Sequence, residues 1–343
     1  MCIENLSEIL DIHKLSAINK ILVVRLSSLG DILLTTPLIR ALKNFNQNLQ
    51  IDFLLRQEYK DVLKLNPNLH ELFLFTRNDF ENLNLVNKLK EKRYDLVIDL
   101  QNNLRSRGII SKLKGEKVKF DKKSFQKILL VKAKINLLKD APPIPVRYAK
   151  VIEGLKVDSA GLDLFTDKEP SEAIKSKQNL IGLCPGARHF TKRWPAEYYI
   201  QLGRFLIQNN FNVVLFGGKT DSEICEQINK EIPEALNLQN DNDILQTAAD
   251  MKLCSAVVCN DSGLMHAASA VGVKVLTIFG SSVKEFGFAP YNCKSLLIEN
   301  NSLSCRPCSH IGRESCPEKH FSCMKELKPE FVFNELIKFI NND

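Results

Sequence analysis

The chain has 343 residues, 44% hydrophobic and 25% charged, with a net charge of +7. This composition excludes a disordered or fibrous protein, and the length predicts two globular domains. No apolar run reaches the roughly 20 residues that span a bilayer, and the leading stretch MCIENLSEILDIHKLS lacks the apolar core of a secretory signal, so a cytoplasmic protein is expected.

In chain order, apolar runs predict strands at 21–24, 51–55, 72–75 and 96–99, with helical patterns at about 32–46, 57–65 and 80–92 between them. The alternation continues after about residue 178, with strands at 180–184, 213–216, 256–259 and 275–279. Helices are expected near 195–209, 220–230, 243–252, 262–271 and 329–341. Strand and helix in strict alternation predict parallel βαβ units. The stretch 140–178, with DAPPIPV and the charged DKEPSEAIKSKQ, predicts a boundary with a linker near 160–178. The expected organisation is an N-terminal Rossmann-like domain, 1–170, and a C-terminal one, 171–343, facing an interdomain cleft. Ligands of such sheets bind beyond the carboxyl ends of the strands.

The charge is uneven. Residues 101–150 hold 14 Lys/Arg against 3 Asp/Glu, a local +11 that leaves −4 elsewhere. Such a block is either a solvated face or a contact for a phosphate-rich partner: a membrane surface, an acidic glycolipid or a nucleic acid. Its only aromatics, Phe120, Phe125 and Tyr148, make a thin platform for stacking bases. A nucleic-acid-binding protein is therefore the weaker reading.

Neither a G-x-G-x-x-G nor a G-x-x-x-x-G-K-[ST] pattern occurs, which weakens dinucleotide and P-loop readings. Four other segments follow predicted strands. In RLSSLGDILLTTP (25–37), Ser27, Ser28 and Gly30 can present hydroxyls and N–H groups at a helix start, and Asp31 stands either as a cap or as a reactive carboxylate. In CPGARHFTKRWP (184–195), Arg188, Thr191, Lys192 and Arg193 make a basic loop suited to phosphate, beside the only tryptophan. In FGGKTDSE (216–223), paired glycines allow a ligand close to the backbone, and Glu223 is either a ribose-binding acid or an exposed helical residue. In NDSGLMHAASAVGV (260–273), Asp261, Ser262 and Gly263 lead into a helix of small residues whose N-terminus suits an anion, with His266 one turn along, as a ligand-facing or a structural histidine.

Together these four motifs, in this order, resemble the ADP-heptose:lipopolysaccharide heptosyltransferases, glycosyltransferase family 9. The resemblance runs from about residue 20 to the C-terminus. It implies a GT-B fold, with the nucleotide sugar on the C-terminal domain and the acceptor on the N-terminal one. It also implies inverting transfer of a heptose from ADP-heptose to the lipopolysaccharide inner core, with no cofactor required for catalysis, on the cytoplasmic face of the inner membrane. By this resemblance Asp31 matches the general base, Lys192 a phosphate-contacting lysine and Asp261 a sugar-contacting acid. Ser28, Gly30, Arg188, Thr191, Ser262, Gly263 and His266 would line the donor, and Glu223 matches a ribose-binding acid. A family member with another nucleotide sugar or glycan acceptor is the alternative. Arg56, Arg105 and Arg107, each after a predicted strand, are candidates to grip acceptor carboxylates, since arginine forks suit bidentate contacts.

Ten cysteines in a long chain without a signal are expected to be reduced. Cys184, Cys254 and Cys259 lie in apolar runs and are expected as small core residues. Cys305, Cys308, Cys316 and Cys323 cluster with spacing C-x2-C-x7-C-x6-C, and His310 and His320 are nearby. This set could close a structural zinc or iron site; packed or redox-labile thiols are the alternative.

Overall fold

The computed structural model describes residues 9–342, so Cys2 and the first half of the leading stretch MCIENLSEILDIHKLS lie outside it. The chain divides into two compact units. The first runs to Ser124 and resumes over Pro142–Asp163; the second joins Phe125–Ala141 to everything from Leu164 onward. No helix among the described residues is long and apolar enough to cross a membrane.

The first unit holds a short parallel pair, β1 (Leu10–Asp11) with β7 (Ile152–Glu153), and a five-stranded parallel sheet. That sheet comprises β2 (Lys20–Val24), β3 (Gln50–Arg56), β4 (Glu71–Phe75), β5 (Leu96–Asp99) and β6 (Glu116–Lys119), in the order β4-β3-β2-β5-β6. The sheet order reverses between β2 and β5. In an open parallel sheet the crevice beyond the carboxyl ends at such a reversal is where ligands bind.

The second unit repeats the plan with β8 (Leu180–Cys184), β9 (Asn212–Leu215), β10 (Leu236–Asn237), β11 (Ala256–Asn260), β12 (Lys274–Phe279) and β13 (Ser295–Glu299), all parallel, in the order β10-β9-β8-β11-β12-β13. Its reversal falls between β8 and β11. Successive side chains of a strand point to opposite faces, and both faces here are covered. Ile181, Leu183, Val258 and Ile278 enter one core cluster with Trp194 and Tyr199. Leu180, Cys184, Val257, Cys259 and Phe279 enter the other. This is why the central strands read as unbroken apolar runs. Cys184, Cys254 and Cys259 are buried, as their settings predict, and burial pushes the Cys254 thiol up to about 12.

Two departures from the sequence reading have physical causes. The helix expected over 32–46 is two, Leu29–Leu33 and Thr36–Phe45, broken where Thr35 and Thr36 turn their hydroxyls onto the carbonyls of Ile32 and Leu33. The helix expected over 57–65 is a 3-10 turn, Gln57–Tyr59, followed by Lys60–Leu63. The C-terminal helix, Pro329–Asn341, packs within the second unit, where Val332 and Leu336 join its core and Phe333 meets Phe205 of helix Ala196–Gln208.

Candidate active site

In the first unit, the chain leaves β2 and enters helix Leu29–Leu33 through Arg25, Leu26, Ser27 and Ser28. Asp31 sits in the first turn of that helix. Its Oδ2 accepts hydrogen bonds from the Ser28 N–H (3.1 Å) and hydroxyl (2.9 Å), and its Oδ1 is 2.6 Å from an Arg25 guanidinium nitrogen. Capping and ion pairing thus use the same carboxylate, whose side chain is still 19% exposed. Burial works to raise its pKa, but the Arg25 charge and the Ser28 hydrogen bonds prevail and hold it below the ordinary carboxylate value. Asp31 is therefore ionised at neutral pH.

Arg25 is itself fixed. It donates to the carbonyls of Leu100 (2.6 Å) and Ser27 (2.9 Å) and lies over the Tyr148 ring at 5.9 Å. Across the reversal, Gln101 after β5 accepts from the backbone N–H groups of Leu26 and Ser27. Asp99 caps the same corner, accepting from Gln101, Asn102 and the Ser106 hydroxyl. The expected site residues Asp31 and Ser28 thus meet, whereas Gly30 is buried inside the helix. Arg25, Gln101 and Asp99 were not singled out. Arg25 lay inside the quoted motif as the first residue after an apolar run, the same signal that marked the others.

Replacing Arg25 by Met removes the charge that depresses the Asp31 pKa. Any acid limb of the transfer rate owed to Asp31 then moves to higher pH, which a pH profile of kcat/KM measures. The sign is fixed: a depressed folded pKa stabilises above the unfolded carboxylate value and is lost as pH falls through the folded one. The variant therefore also unfolds at a higher pH on acidification.

Of the three arginines expected to hold an acceptor, Arg56 ends β3 and Arg105 and Arg107 follow β5, at the same end of the sheet as Asp31. Arg56 pairs with Glu58 at 2.8 Å, Arg105 lies over the Phe75 ring at 5.8 Å, and Arg107 donates to the Asn102 side chain at 2.8 and 3.1 Å. Arg105 and Arg107 are exposed.

In the second unit an acid–cation pair spans the reversal. Lys192, after β8, is 2.7 Å from Asp261, after β11. The Ser282 hydroxyl, after β12, donates to the same Asp261 oxygen at 2.5 Å. Burial alone would raise the Asp261 pKa; the Lys192 charge and hydrogen bond, then the Ser282 hydrogen bond and nearby His266, bring it below the ordinary value. Asn260 ties the two loops together, accepting from the Trp194 N–H and donating to the Pro185 carbonyl. Ser262 ends the loop before helix Gly263–Ala270, on which His266 is buried. The hydroxyls of Ser262 and Ser281 are buried without a hydrogen-bond partner. Buried hydroxyls are ordinarily satisfied, so these two leave hydrogen-bonding capacity unused in the loops that hold the Lys192–Asp261 pair.

Other expected donor residues are placed differently. Arg188 and Glu223 are exposed. Thr191 is buried and committed to the protein: its backbone N–H donates to the Arg313 carbonyl and its hydroxyl oxygen accepts from the Arg313 N–H. Arg193 braces the loop by donating to the Ala187 carbonyl at 2.6 Å. The paired glycines serve the protein's own side chains: a Cβ at Gly217 would crowd Asp221 and Cys225, and one at Gly218 would strike Asn242. Asp221 lies against Gly186 and accepts from the Gly218 N–H, and burial raises its pKa.

The tryptophan is a core residue. Trp194 is fully buried, donates Nε1–H to the Leu327 carbonyl, and meets Tyr198 and Tyr199 edge-on. Trp194→Ala should cost about 3–5 kcal/mol of stability, read by urea denaturation.

The irregular stretch 300–321 carries Cys305, Cys308 and Cys316, with Cys323 in the short helix Ser322–Lys325 that follows, and buttresses this site. Buried Arg306 donates to the carbonyls of Gly280 and Ser282 and pairs with Glu299. Cys305 lies 3.9 Å from His320 Nε2, and burial pushes the Cys323 thiol up to about 12, with Cys308, Cys316 and Cys305 near enough to act on it. The cysteine sulfurs are not drawn into one coordination sphere. Among the described residues, three donor atoms of metal-ligating type converge only at Asp52, His70 and Glu71, where His70 and Tyr94 bond Asp52 and Lys92 pairs with Glu71.

The family description "glycosyltransferase family 9 (heptosyltransferase)" matches residues 82–320. The chain belongs to glycosyltransferase family 9. This glycosyltransferase is 28% identical over 324 residues to a lipooligosaccharide heptosyltransferase 2 of Campylobacter jejuni, covering 90% of this chain and 96% of the relative. It is 30% identical over 294 residues to a lipopolysaccharide heptosyltransferase 2 of Salmonella typhimurium, covering 78% and 84%. In fold it matches the ADP-heptose lipopolysaccharide heptosyltransferase II of Escherichia coli with a TM-score of 0.71 at 24% identity, over 94% of this chain and 98% of that one. The expected GT-B fold is therefore the one the family 9 enzyme adopts.

Proposed function

We propose that this family 9 enzyme moves a heptose from ADP-heptose to the inner core of lipopolysaccharide with inversion. The observation that carries the reading is the Lys192–Asp261 pair at the second sheet's reversal, with the orphaned hydroxyls of Ser262 and Ser281 beside it. Asp261 meets sugar hydroxyls as an acceptor, while Lys192 turns to the diphosphate. Arg188 and the N-terminus of helix Gly263–Ala270 add positive potential where the leaving group gains charge. Thr191 holds the loop, and Glu223 is the ribose acid. In the single displacement, the acceptor oxygen bonds the anomeric carbon as the bond from that carbon to the phosphate oxygen breaks. The hydroxyl proton passes to Asp31 and ADP departs with the electron pair. Ser28 and Gly30 hold the Asp31 helix start, and Arg56, Arg105 and Arg107 grip acceptor carboxylates. The relatives named for heptose transfer support the choice of donor.

The enzyme works at the cytoplasmic face of the inner membrane, where a basic surface meets an anionic one. Against nucleic acid as the partner stands the burial of Phe120 and Tyr148, edge-to-face with centroids 4.7 Å apart. That leaves Phe125 as the only exposed aromatic of the basic block. The reaction itself uses no cofactor. Cys305, Cys308, Cys316 and Cys323 offer soft donors for a structural zinc or iron on the strength of their sequence spacing, and such an ion would have to draw the sulfurs closer together than they lie here; elemental analysis giving well under one equivalent overturns that assignment.

The decisive experiment presents purified enzyme with a panel of nucleotide sugars and acceptors truncated at successive core sugars. ADP release with ADP-heptose and one core acceptor is expected. Turnover of a different sugar donor, with ADP-heptose inert, would replace heptose transfer by another family 9 reaction.

A further inference from the structure

The second unit recruits Phe125–Ala141 from far up the chain and leaves much of its apolar surface in water. Helix Ser124–Ala133 is apolar on both sides. On its inner side Leu130, with Leu138 beyond the helix, is buried against Phe286. On its outer side Phe125 and Ile128, one turn apart, are 67% and 47% exposed; Ile135 and Leu137 follow at 51% and 58%. Single exposed apolar residues are ordinary on protein surfaces; a cluster marks a contact. Residues 122–139 hold six lysines and no Asp or Glu; the acids Asp121 and Asp140 stand at the two ends, and Lys123 pairs with Asp121. Two of the lysines fasten the segment down, Lys134 by donating to the carbonyls of Cys305 and Pro307 and Lys127 by lying over the Phe288 ring. Lys132 and Lys139 are exposed.

We infer that residues 125–139 are a membrane-docking surface. Phe125, Ile128, Ile135 and Leu137 enter the boundary between headgroups and acyl chains, and the lysines lie among anionic lipid phosphates. Aromatic and aliphatic side chains framed by lysines are the composition of interfacial segments. A run of lysines with no acid between them complements an extended negative surface better than a protein patch of mixed charge. The inference deepens the membrane contact proposed above; its vesicle test does not depend on sugar transfer.

The test is flotation of the full-length protein with vesicles of phosphatidylcholine alone or mixed with phosphatidylglycerol. Binding to the anionic vesicles alone, reversed by salt, is expected. Phe125→Ser with Leu137→Ser should weaken partitioning by about tenfold or more. Lys132→Gln with Lys139→Gln should do the same, at about tenfold or more. Both double variants should melt like the parent and keep full turnover of a water-soluble truncated acceptor. Undiminished flotation of the apolar variant overturns insertion, and equal binding to neutral vesicles overturns the charge argument. Self-association abolished by the apolar changes, with vesicle binding intact, assigns the surface to a second copy instead. Loss of heptose transfer with flotation preserved removes the functional reading alone.

Discussion

Asp31→Asn is expected to lower kcat/KM for transfer by about 10²–10⁴-fold, the usual range for a positioned general base, while ADP binding measured by calorimetry stays at the parent value. The asymmetry follows from where the groups sit. Asp31 belongs to the first unit and its partners are Arg25 and Ser28. The Lys192–Asp261 pair that would meet the nucleotide lies in the second. Asn preserves size and one acceptor oxygen, so either the Ser28 bonds or the Arg25 contact can persist, but not both. Arg25 then loses its charge partner, and some stability goes with it, because removing one member of a largely buried pair leaves the other uncompensated. A melting curve separates that loss from the kinetic one. Near-parent turnover in a folded Asp31→Asn enzyme would sink the base assignment and leave Asp31 as a cap and counter-ion for Arg25. ADP affinity falling in step with turnover would place Asp31 at the donor instead.

The fold was legible where burial is two-sided. The central strands β2, β8, β11 and β12 are covered on both faces, so their sequences are unbroken apolar runs with few rival readings. The edge strands β6 (EKVK) and β13 (SLLIE) were not read. Each is paired on one side only and carries exposed or half-buried polar residues, so neither looks apolar enough to declare itself. The site divides in the same way. The candidates Asp31, Lys192 and Asp261 stood out because each follows a strand of a parallel sheet, where chemistry collects. Ser282 and Gln101 did not, because pairing across the fold is settled in three dimensions. Ser282 reaches Asp261 from 21 residues away, and Gln101 reaches the loop after β2 from 74 and 75. Rarity was no guide at Trp194: the single tryptophan beside the basic loop weighed toward a function for that loop, yet its indole fills the core. Glycine misled at 217 and 218, because the room a missing side chain leaves is taken by Asp221, Cys225 and Asn242.

Lys192→Met should damage both reaction and fold, and the two effects can be separated. The ammonium neutralises a buried carboxylate and is the group proposed above to take the donor phosphates. Losing one preorganised cation at a developing negative charge costs about 10²–10³ in kcat, and KM for the nucleotide sugar should rise as well. Asp261 then keeps only Ser282 as a hydrogen-bond donor, and burial, until now outweighed, drives its pKa up. The parent's depressed Asp261 pKa contributes stability at any pH above the ordinary carboxylate value, about 4, and loses it as pH falls through the folded value. In Lys192→Met that contribution disappears, so the variant is less stable at neutral pH and its acid unfolding begins at higher pH. Adding Asp261→Asn removes the stranded charge. If Lys192 served only to neutralise Asp261, the double variant would recover both stability and nucleotide binding. The expected outcome is recovered stability in urea with nucleotide affinity and turnover still low, because no asparagine replaces a cation facing a diphosphate. Lys192→Arg should retain part of the binding: its charge is right, but a planar fork differs from a compact ammonium in the space beside Asp261 and Ser282.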